Sequence, residues 1–184
     1  MISIDPKNIE VPRLHRYLLG AIGPRPIAFA STIDSDGISN LAPFSFFNAF
    51  SANPPILVFS PARSGRTNTT KDTYNNVKKV PEVVINVVNY ELVHQMSLTS
   101  SPYPSNTDEF IKSGLTPVTS DLIKPFRIKE SPVQFECRVN QVIELGDQGG
   151  AGNLIICEVL KIHISEEVLD EKGMIDQHKI DLVS

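Results

Sequence analysis

The segment Ser60–Thr73, SPARSGRTNTTKDT, gathers the groups that hold a phosphate. Ser60, Ser64, Thr67, Thr69, Thr70 and Thr73 carry hydroxyls, and Arg63, Arg66 and Lys71 carry positive charge. Gly65 lets the backbone come close to a ligand. A helical pattern starts near Asp72, and the free N–H groups at such a start attract an anion. The same residues also suit an ordinary surface loop ending in an N-cap, and the loop alone leaves both readings open. A second segment, Asn40-Leu41-Ala42-Pro43-Phe44-Ser45-Phe46, mixes aromatics, small residues and hydroxyls. That mixture suits a flat heteroaromatic ligand better than it suits a core. Packing is the rival for Phe44, Phe46, Phe47 and Phe50. Strand alternation sends them to opposite faces, so two of the four are expected in the core.

Both segments need elements to position them. Ile27–Ile33 and Ile38–Phe50 are apolar runs around Asp34-Ser35-Asp36-Gly37, which is hairpin-turn chemistry because Asp and Gly tolerate positive φ. Pro43 cannot donate to a ladder, so the second run is an edge strand or is bulged. Pro55–Ser60 reads as a third strand, led in by the turn signal Asn53-Pro54. Asp72–Lys79 reads as a helix with Thr70 or Asp72 as N-cap and Pro81 beyond its end. Leu14–Leu19 and Glu91–Ser97 read as further short helices, and Val83–Val88 as a strand. Ser100–Ser120, rich in Pro, Ser and Thr, is a compact excursion or lid with one helical turn at Thr107–Ser113. Val133–Val139 alternates, with Val133, Phe135, Cys137 and Val139 on one face and Gln134, Glu136 and Arg138 on the other. Gly146–Gly152 is a hairpin loop. Leu154–Ile164 is a long strand with apolar residues on both faces. The pattern predicts a mainly β fold, a small antiparallel β-barrel with short helices, in one domain spanning 1–184.

Composition narrows the function. The chain has 184 residues, of which 41% are hydrophobic and 21% charged, enough for a sizeable core in a water-soluble chain. A net charge of −4 argues against nucleic acid as the partner. Residues 1–80 hold nine Lys/Arg against five Asp/Glu, and residues 81–184 hold eight against sixteen, so the basic half is the half with the phosphate-suited loop. Cys137 and Cys157 lie inside apolar runs and are expected as small buried residues, with no role as catalytic thiols. His15, His94, His163 and His178 show no ligand spacing, so no metal site is expected. No GxGxxG follows a strand, so no Rossmann unit is expected. No apolar run approaches the roughly 20 residues that span a bilayer, and the N-terminus lacks the apolar core of a signal peptide. A cytoplasmic protein with no membrane partner is expected.

In their order, GPRPIA, NLAPFSFFNAFSANPP, TKDTYNN, NTDEFIKSGLTPV, ESPVQFECRV and VLDEKGMID resemble the flavin reductase-like family, the FMN-binding split barrels. The resemblance runs from Arg13 to Leu182 and is strongest to flavoredoxins and to the reductase components of two-component flavin monooxygenases. It implies a Greek-key antiparallel split barrel with FMN as cofactor. Lys71, Asp72 and Thr73 match the family's Lys-Asp-Thr element, which places the FMN phosphate there, with Ser60 and Arg63 in the same loop. Asn40, Leu41, Ala42, Pro43, Phe44, Ser45 and Phe46 match the strand that holds the ring and ribityl chain. Ser31 and Thr32 match a neighbouring strand end. The implied function is an NAD(P)H-dependent flavin reductase that passes hydride from nicotinamide to flavin. Proximity and orientation drive that step, so no catalytic residue is assigned. The alternative is a flavoredoxin-like, FMN-containing electron-transfer protein without nicotinamide turnover of its own. The resemblance also implies a homodimer with the flavin at or near the interface, and a monooxygenase or redox-protein partner. The two apolar faces of Leu154–Ile164 point the same way, because one barrel interior covers only one of them. Relatives commonly continue past the equivalent of Asp181–Ser184 with a Gly- and Tyr-bearing tail, so no flavin contact is expected from that end here.

Overall fold

Seven antiparallel strands form one sheet in the computed structural model, which describes residues 1–184. In chain order the strands are β1 (Ala28–Ile33), β2 (Ser39–Phe44), β3 (Phe47–Ala52), β4 (Pro55–Phe59), β5 (Glu82–Asn86), β6 (Pro117–Val118), β7 (Arg127–Ile128), β8 (Val133–Glu144) and β9 (Asn153–Ile164). The sheet runs β2-β1-β5-β8-β9-β4-β3, and β6 pairs with β7 as a separate ribbon. The helices are α1 (Val11–Ala21), α2 (Asp72–Lys79), α3 (Val93–Leu98), α4 (Glu109–Ser113) and α5 (Gln177–Ile180). No helix is long and apolar enough to cross a membrane.

The sheet's two edges, β2 and β3, are consecutive in the chain, with only Ser45 and Phe46 between them. Three peptide steps span at most about 11 Å. Six strand spacings in a flat sheet would separate the edges by about 29 Å. The sheet therefore curls until its edges meet at Ser45–Phe46. The chain closes this barrel and no ladder does, which is the split-barrel architecture. The long apolar run expected as one strand over Ile38–Phe50 is thus two strands on opposite sides of the split. Pro43 sits on an edge strand, where a missing N–H leaves no ladder bond unmade.

The β1–β2 turn follows local chemistry. Asp34 Oδ1 accepts the N–H groups of Asp36 and Ile38 at 2.9 and 2.8 Å, and Gly37 takes φ +89°. The barrel interior is built from Ala28, Ala30, Leu57, Phe59, Val83, Ile85, Cys137, Ile155 and Cys157, with Val77 of α2 plugging one end. Both thiols are buried there, and burial pushes both up. Phe44 and Phe47 pack against this cluster, whereas Phe46 and Phe50 are exposed. The interior-facing side of β9 is the Ile155 and Cys157 side. Leu160, Ile162 and Ile164 face outward, half-exposed.

A second cluster, Phe29, Leu41, Val88, Leu92, Phe110, Leu115 and Ile128, lies outside the barrel. It roots residues 99–132, a longer segment than the excursion expected over Ser100–Ser120, onto β1 and β2. Under that cover Gln134 and Glu136 on the polar face of β8 are buried, whereas Arg138 on the same face stays exposed. Glu136 has no exposed surface. Its carboxylate accepts the N–H groups of Asp121 at 2.8 Å and Leu122 at 2.7 Å, and meets His163 Nε2 at 2.7 Å and Arg127 Nε at 3.7 Å. Burial alone would push this carboxyl up, but the two backbone donors and His163 outweigh it and hold it below its ordinary range. Asp121, Glu136 and His163 bring ligand-type atoms within 4.8 Å of one another, yet Arg127 and Lys161 already supply the positive charge beside them. Removing a buried, multiply bonded carboxylate typically costs about 3–5 kcal/mol, so Glu136→Ala is expected to lower unfolding stability by that order in urea titrations. Because the folded-state value of Glu136 is depressed, its contribution is present above the unfolded carboxylate value of about 4.3 and is lost as pH falls through the folded value. The stability gap between wild type and Glu136→Gln is therefore expected to close in acid.

Candidate functional site

A cleft of about 490 Å³ opens where β2 and β3 part. One wall is β2, through Asn40, Ala42, Pro43 and Phe44, and the corner residues Ser45 and Phe46 continue it. Ser60 and Ala62, just past β4, form the floor. Thr70, Lys71, Asp72 and Thr73 line one end, His15 and Leu19 of α1 lean in, and Thr99–Tyr103 with Glu109 close the remaining side.

Each element is held in place by identifiable contacts. Arg25 fixes α1: its guanidinium donates to the carbonyls of Leu19, at 2.7 Å, and Ile22, and reaches Ser45 Oγ at 3.4 Å. A cation on the last carbonyls of a helix is favoured by their unpaired acceptors. The His15 ring then meets Phe46 edge-on at 6.0 Å. Asn40 fixes α2 to the barrel mouth by donating to Thr73 Oγ1 at 2.9 Å and Thr32 Oγ1 at 3.3 Å, and Asn76 donates to the same Thr32 at 3.2 Å. Thr73 accepts in this bond, so its own O–H is left to donate.

The N-cap of α2 is Lys71, in extended conformation and without a side-chain capping bond. The expected caps behave differently: Thr70 Oγ1 donates to Asn75 Oδ1 at 2.7 Å, and Asp72 lies within the helix. The first N–H groups of α2 are therefore not covered by a side-chain cap, and the residues at this helix start, Lys71, Asp72 and Thr73, line that end of the cleft.

Three of the residues singled out in sequence are fully or almost fully buried and do not line the cleft. Ser31 and Leu41 have no exposed surface, and Thr32 is buried beneath Asn40, which it anchors. Arg63 is also outside the lining. Its Nε and terminal nitrogen donate to Asn68 Oδ1 and O at 2.8 and 2.7 Å, which shapes the loop around a left-handed Asn68 at φ +55°. The Gly-rich loop before β9 grips this turn: Arg63 N–H donates to Ala151 O at 2.8 Å, Gly150 N–H to Arg63 O at 3.0 Å, and Asn68 Nδ2 to Asp147 O at 2.9 Å. Of the three cations in the loop, Lys71 alone lines the cleft.

Two carboxylates balance it. Asp72 Oδ1 accepts from Ser105 Oγ at 3.0 Å, which ties the excursion to α2. Glu109 Oε2 accepts the Leu41 N–H at 3.2 Å. Burial pushes Glu109 up to about 7; its backbone hydrogen bonds oppose this, and Asp72 and Asp108 add to it. Glu109, His15, Leu19 and Thr99–Tyr103 were not singled out in sequence. Their place comes from contacts spanning many residues, and only the lid-like composition of the excursion hinted at it. The cleft can hold an anion at the α2 end and a flat ring along β2. No nucleophile in it is paired with a base.

Residues 21–181 match the family described as Flavin reductase like domain. An uncharacterized protein of Aquifex aeolicus is 39% identical over 173 residues, 94% of this chain and 86% of its own length. Nitrilotriacetate monooxygenase component B from Bacillus cereus has a similar structure, with a TM-score of 0.91 at 30% identity over 100% of this chain and 93% of that one. A protein with a split-barrel domain from Shewanella frigidimarina shares the fold, with a TM-score of 0.82 at 23% identity over 99% and 89% of the two chains.

The loop packing has a direct test. A Cβ on Gly149 would lie 3.0 Å from the Ser64 carbonyl oxygen and 3.2 Å from Gly65 Cα, both main-chain atoms that no side-chain rotation moves away. Gly149→Ala is expected to displace the Arg63–Asn68 turn and lower thermal stability by about 1–3 kcal/mol, the range for overpacking.

Proposed function

This chain belongs to the flavin reductase-like domain family, and on that premise we propose that it is an NAD(P)H-dependent flavin reductase that binds FMN in the cleft at the barrel split. The observation that carries the reading is the uncapped start of α2 opening into the same cleft as the broken edge of the sheet. An anion site and a flat wall then share one pocket, and its volume of about 490 Å³ suits a cofactor of this size. Lys71, Thr73, Ser60 and the first N–H groups of α2 would hold the phosphate. Asn40, Ala42, Pro43, Phe44, Ser45 and Phe46 would hold the ring and its side chain. Thr32, Leu41 and Arg63 support these residues from behind, and Ser31 lies in the same buried layer. A bound flavin supplies the redox chemistry. The chain's own groups bind, orient and screen it, in keeping with the absence of a nucleophile–base pair.

With no dinucleotide-binding domain in the fold, NAD(P)H would enter through the open side of the cleft, beside Thr99–Tyr103. The protein would work in the cytoplasm and hand electrons to a monooxygenase or another redox protein. Mixing the purified protein with FMN and NADH or NADPH, and following the nicotinamide absorbance, tests the reading. Turnover that depends on added or bound flavin is expected. Tightly held FMN without nicotinamide oxidation would favour an electron carrier.

The phosphate assignment predicts that Lys71→Ala weakens FMN more than riboflavin, by about 1.5–3 kcal/mol for the lost charge-assisted bond, as read by fluorescence titration of both ligands. Equal weakening would count against it.

The working unit is proposed to be a homodimer. Phe50 on β3 is 69% exposed, and Leu160, Ile162 and Ile164 form an outward apolar row on β9. Sedimentation equilibrium is expected to give a dimer mass at micromolar concentration, and Ile162→Lys to shift it toward the monomer.

A further inference from the structure

Glu109 is an ionisable group of the cleft lining to which the flavin reading gives no role, and it is the most buried of them. It opens α4, which packs against β2, and its Oε2 accepts the Leu41 N–H at 3.2 Å. Pairing with β1 alternates along β2, so Leu41 directs its N–H outward and Pro43, two residues on, has none to direct. A side chain sixty-eight positions away thus covers a main-chain donor on the edge of β2 that no strand pairs. Glu109 is only 8% exposed, yet it lines the cleft.

Its electrostatic neighbours are mostly negative. Asp72 faces it from α2, and Asp108 caps its own helix. Lys71 and His15 belong to the same lining. From α3, which packs on α4, the one ionisable residue is His94, and it is exposed. β2 contributes none. A carboxylate with a single backbone N–H from outside its helix, few water contacts and two acidic neighbours is poorly stabilised in its charged form.

We propose that Glu109 is a proton-binding residue of the cleft that takes up a proton from solvent when a flavin fills the site. The inference rests on the flavin reading above. A ligand lying against β2 removes the remaining water from Glu109, which disfavours the carboxylate further. In the free protein, burial first and then Asp72 and Asp108 hold this carboxyl near 7, so both forms are populated at neutral pH. Once protonated, one oxygen still accepts from Leu41 and the other gains an O–H to donate into the cleft. The sign follows from linkage. The bound-state value lies above the free-state value, so affinity is full below the free-state value and is lost as pH rises between the two. Each unit of separation is worth up to about tenfold in affinity.

Riboflavin is the probe, because it lacks the phosphate and carries no group that titrates near neutrality. Its dissociation constant is measured by fluorescence from about pH 6 to about pH 9 for wild type and for Glu109→Gln, whose amide oxygen can still accept from Leu41. Wild type is expected to weaken by about tenfold across the range, and Glu109→Gln to stay flat. Titration calorimetry of wild type, in two buffers of different ionisation enthalpy, reads proton uptake directly without a variant. Parallel pH profiles, or binding without proton uptake, would overturn the proposal and leave flavin binding standing. Failure of both proteins to bind riboflavin or FMN at any pH would remove the flavin reading, and this inference with it.

Discussion

The two-residue link between β2 and β3 is the constraint on which the rest of the structure depends. It joins the opposite edges of a seven-stranded sheet across a distance that a flat sheet could not close. Curling satisfies it, and curling creates an enclosed interior for Phe59, Ile85, Cys137 and Ile155. The edges still do not pair, so an open seam is left at Ser45–Phe46. The cleft lies along this seam. The fold therefore keeps open, at one place, the kind of strand edge that proteins usually cover.

Two buried glutamates show how the same segment is tied down and kept responsive. Both meet main-chain N–H groups, and both are nearly inaccessible. Glu136 has donors from Asp121 and Leu122, with His163 and Arg127 beside it, and its charged form is favoured. Glu109 has the Leu41 N–H beyond its own helix, and burial with acidic neighbours raises its carboxyl to about 7. Burial is common to both. The number of donors and the sign of the nearby charge decide the direction. Glu136 locks the far end of the excursion to β8, whereas Glu109 is the excursion's contact with the cleft wall.

The lining of the cleft is polar at one end and flat along one side. Hydroxyls, one lysine and an uncapped helix start lie at one end, and an edge strand with Ala42 and Pro43 lies along the side. Lys71 shares this lining with Asp72 and with Glu109, whose carboxyl burial pushes up to about 7. Affinity for an anion then depends on the local helix and hydroxyl groups more than on the excess of basic residues in the first half of the chain.

The sequence by itself determined what short-range rules control. The turn at Asp34–Gly37, the bounds of α2 and the edge position of the Pro43 strand follow from turn chemistry, helix punctuation and proline, whereas Phe44 and Phe47 both pack inward because the break between them resets the alternation. Asn40, Ala42–Phe46, Ser60 and Lys71–Thr73, singled out because their residue types suit a phosphate and a ring, line one cleft, and the ordered motifs named the family. Only the tertiary structure decided that Ile38–Phe50 is two strands at opposite edges, because the break at Ser45–Phe46 reflects barrel closure and no local signal. It also decided that Arg63 shapes its own loop, that Glu136 is sealed under the excursion, and that Glu109 and His15 reach the cleft. Each of these rests on partners far away in sequence or on cover from another segment. Periodicity reports which face a side chain takes, whereas the fold alone determines what lies against that face.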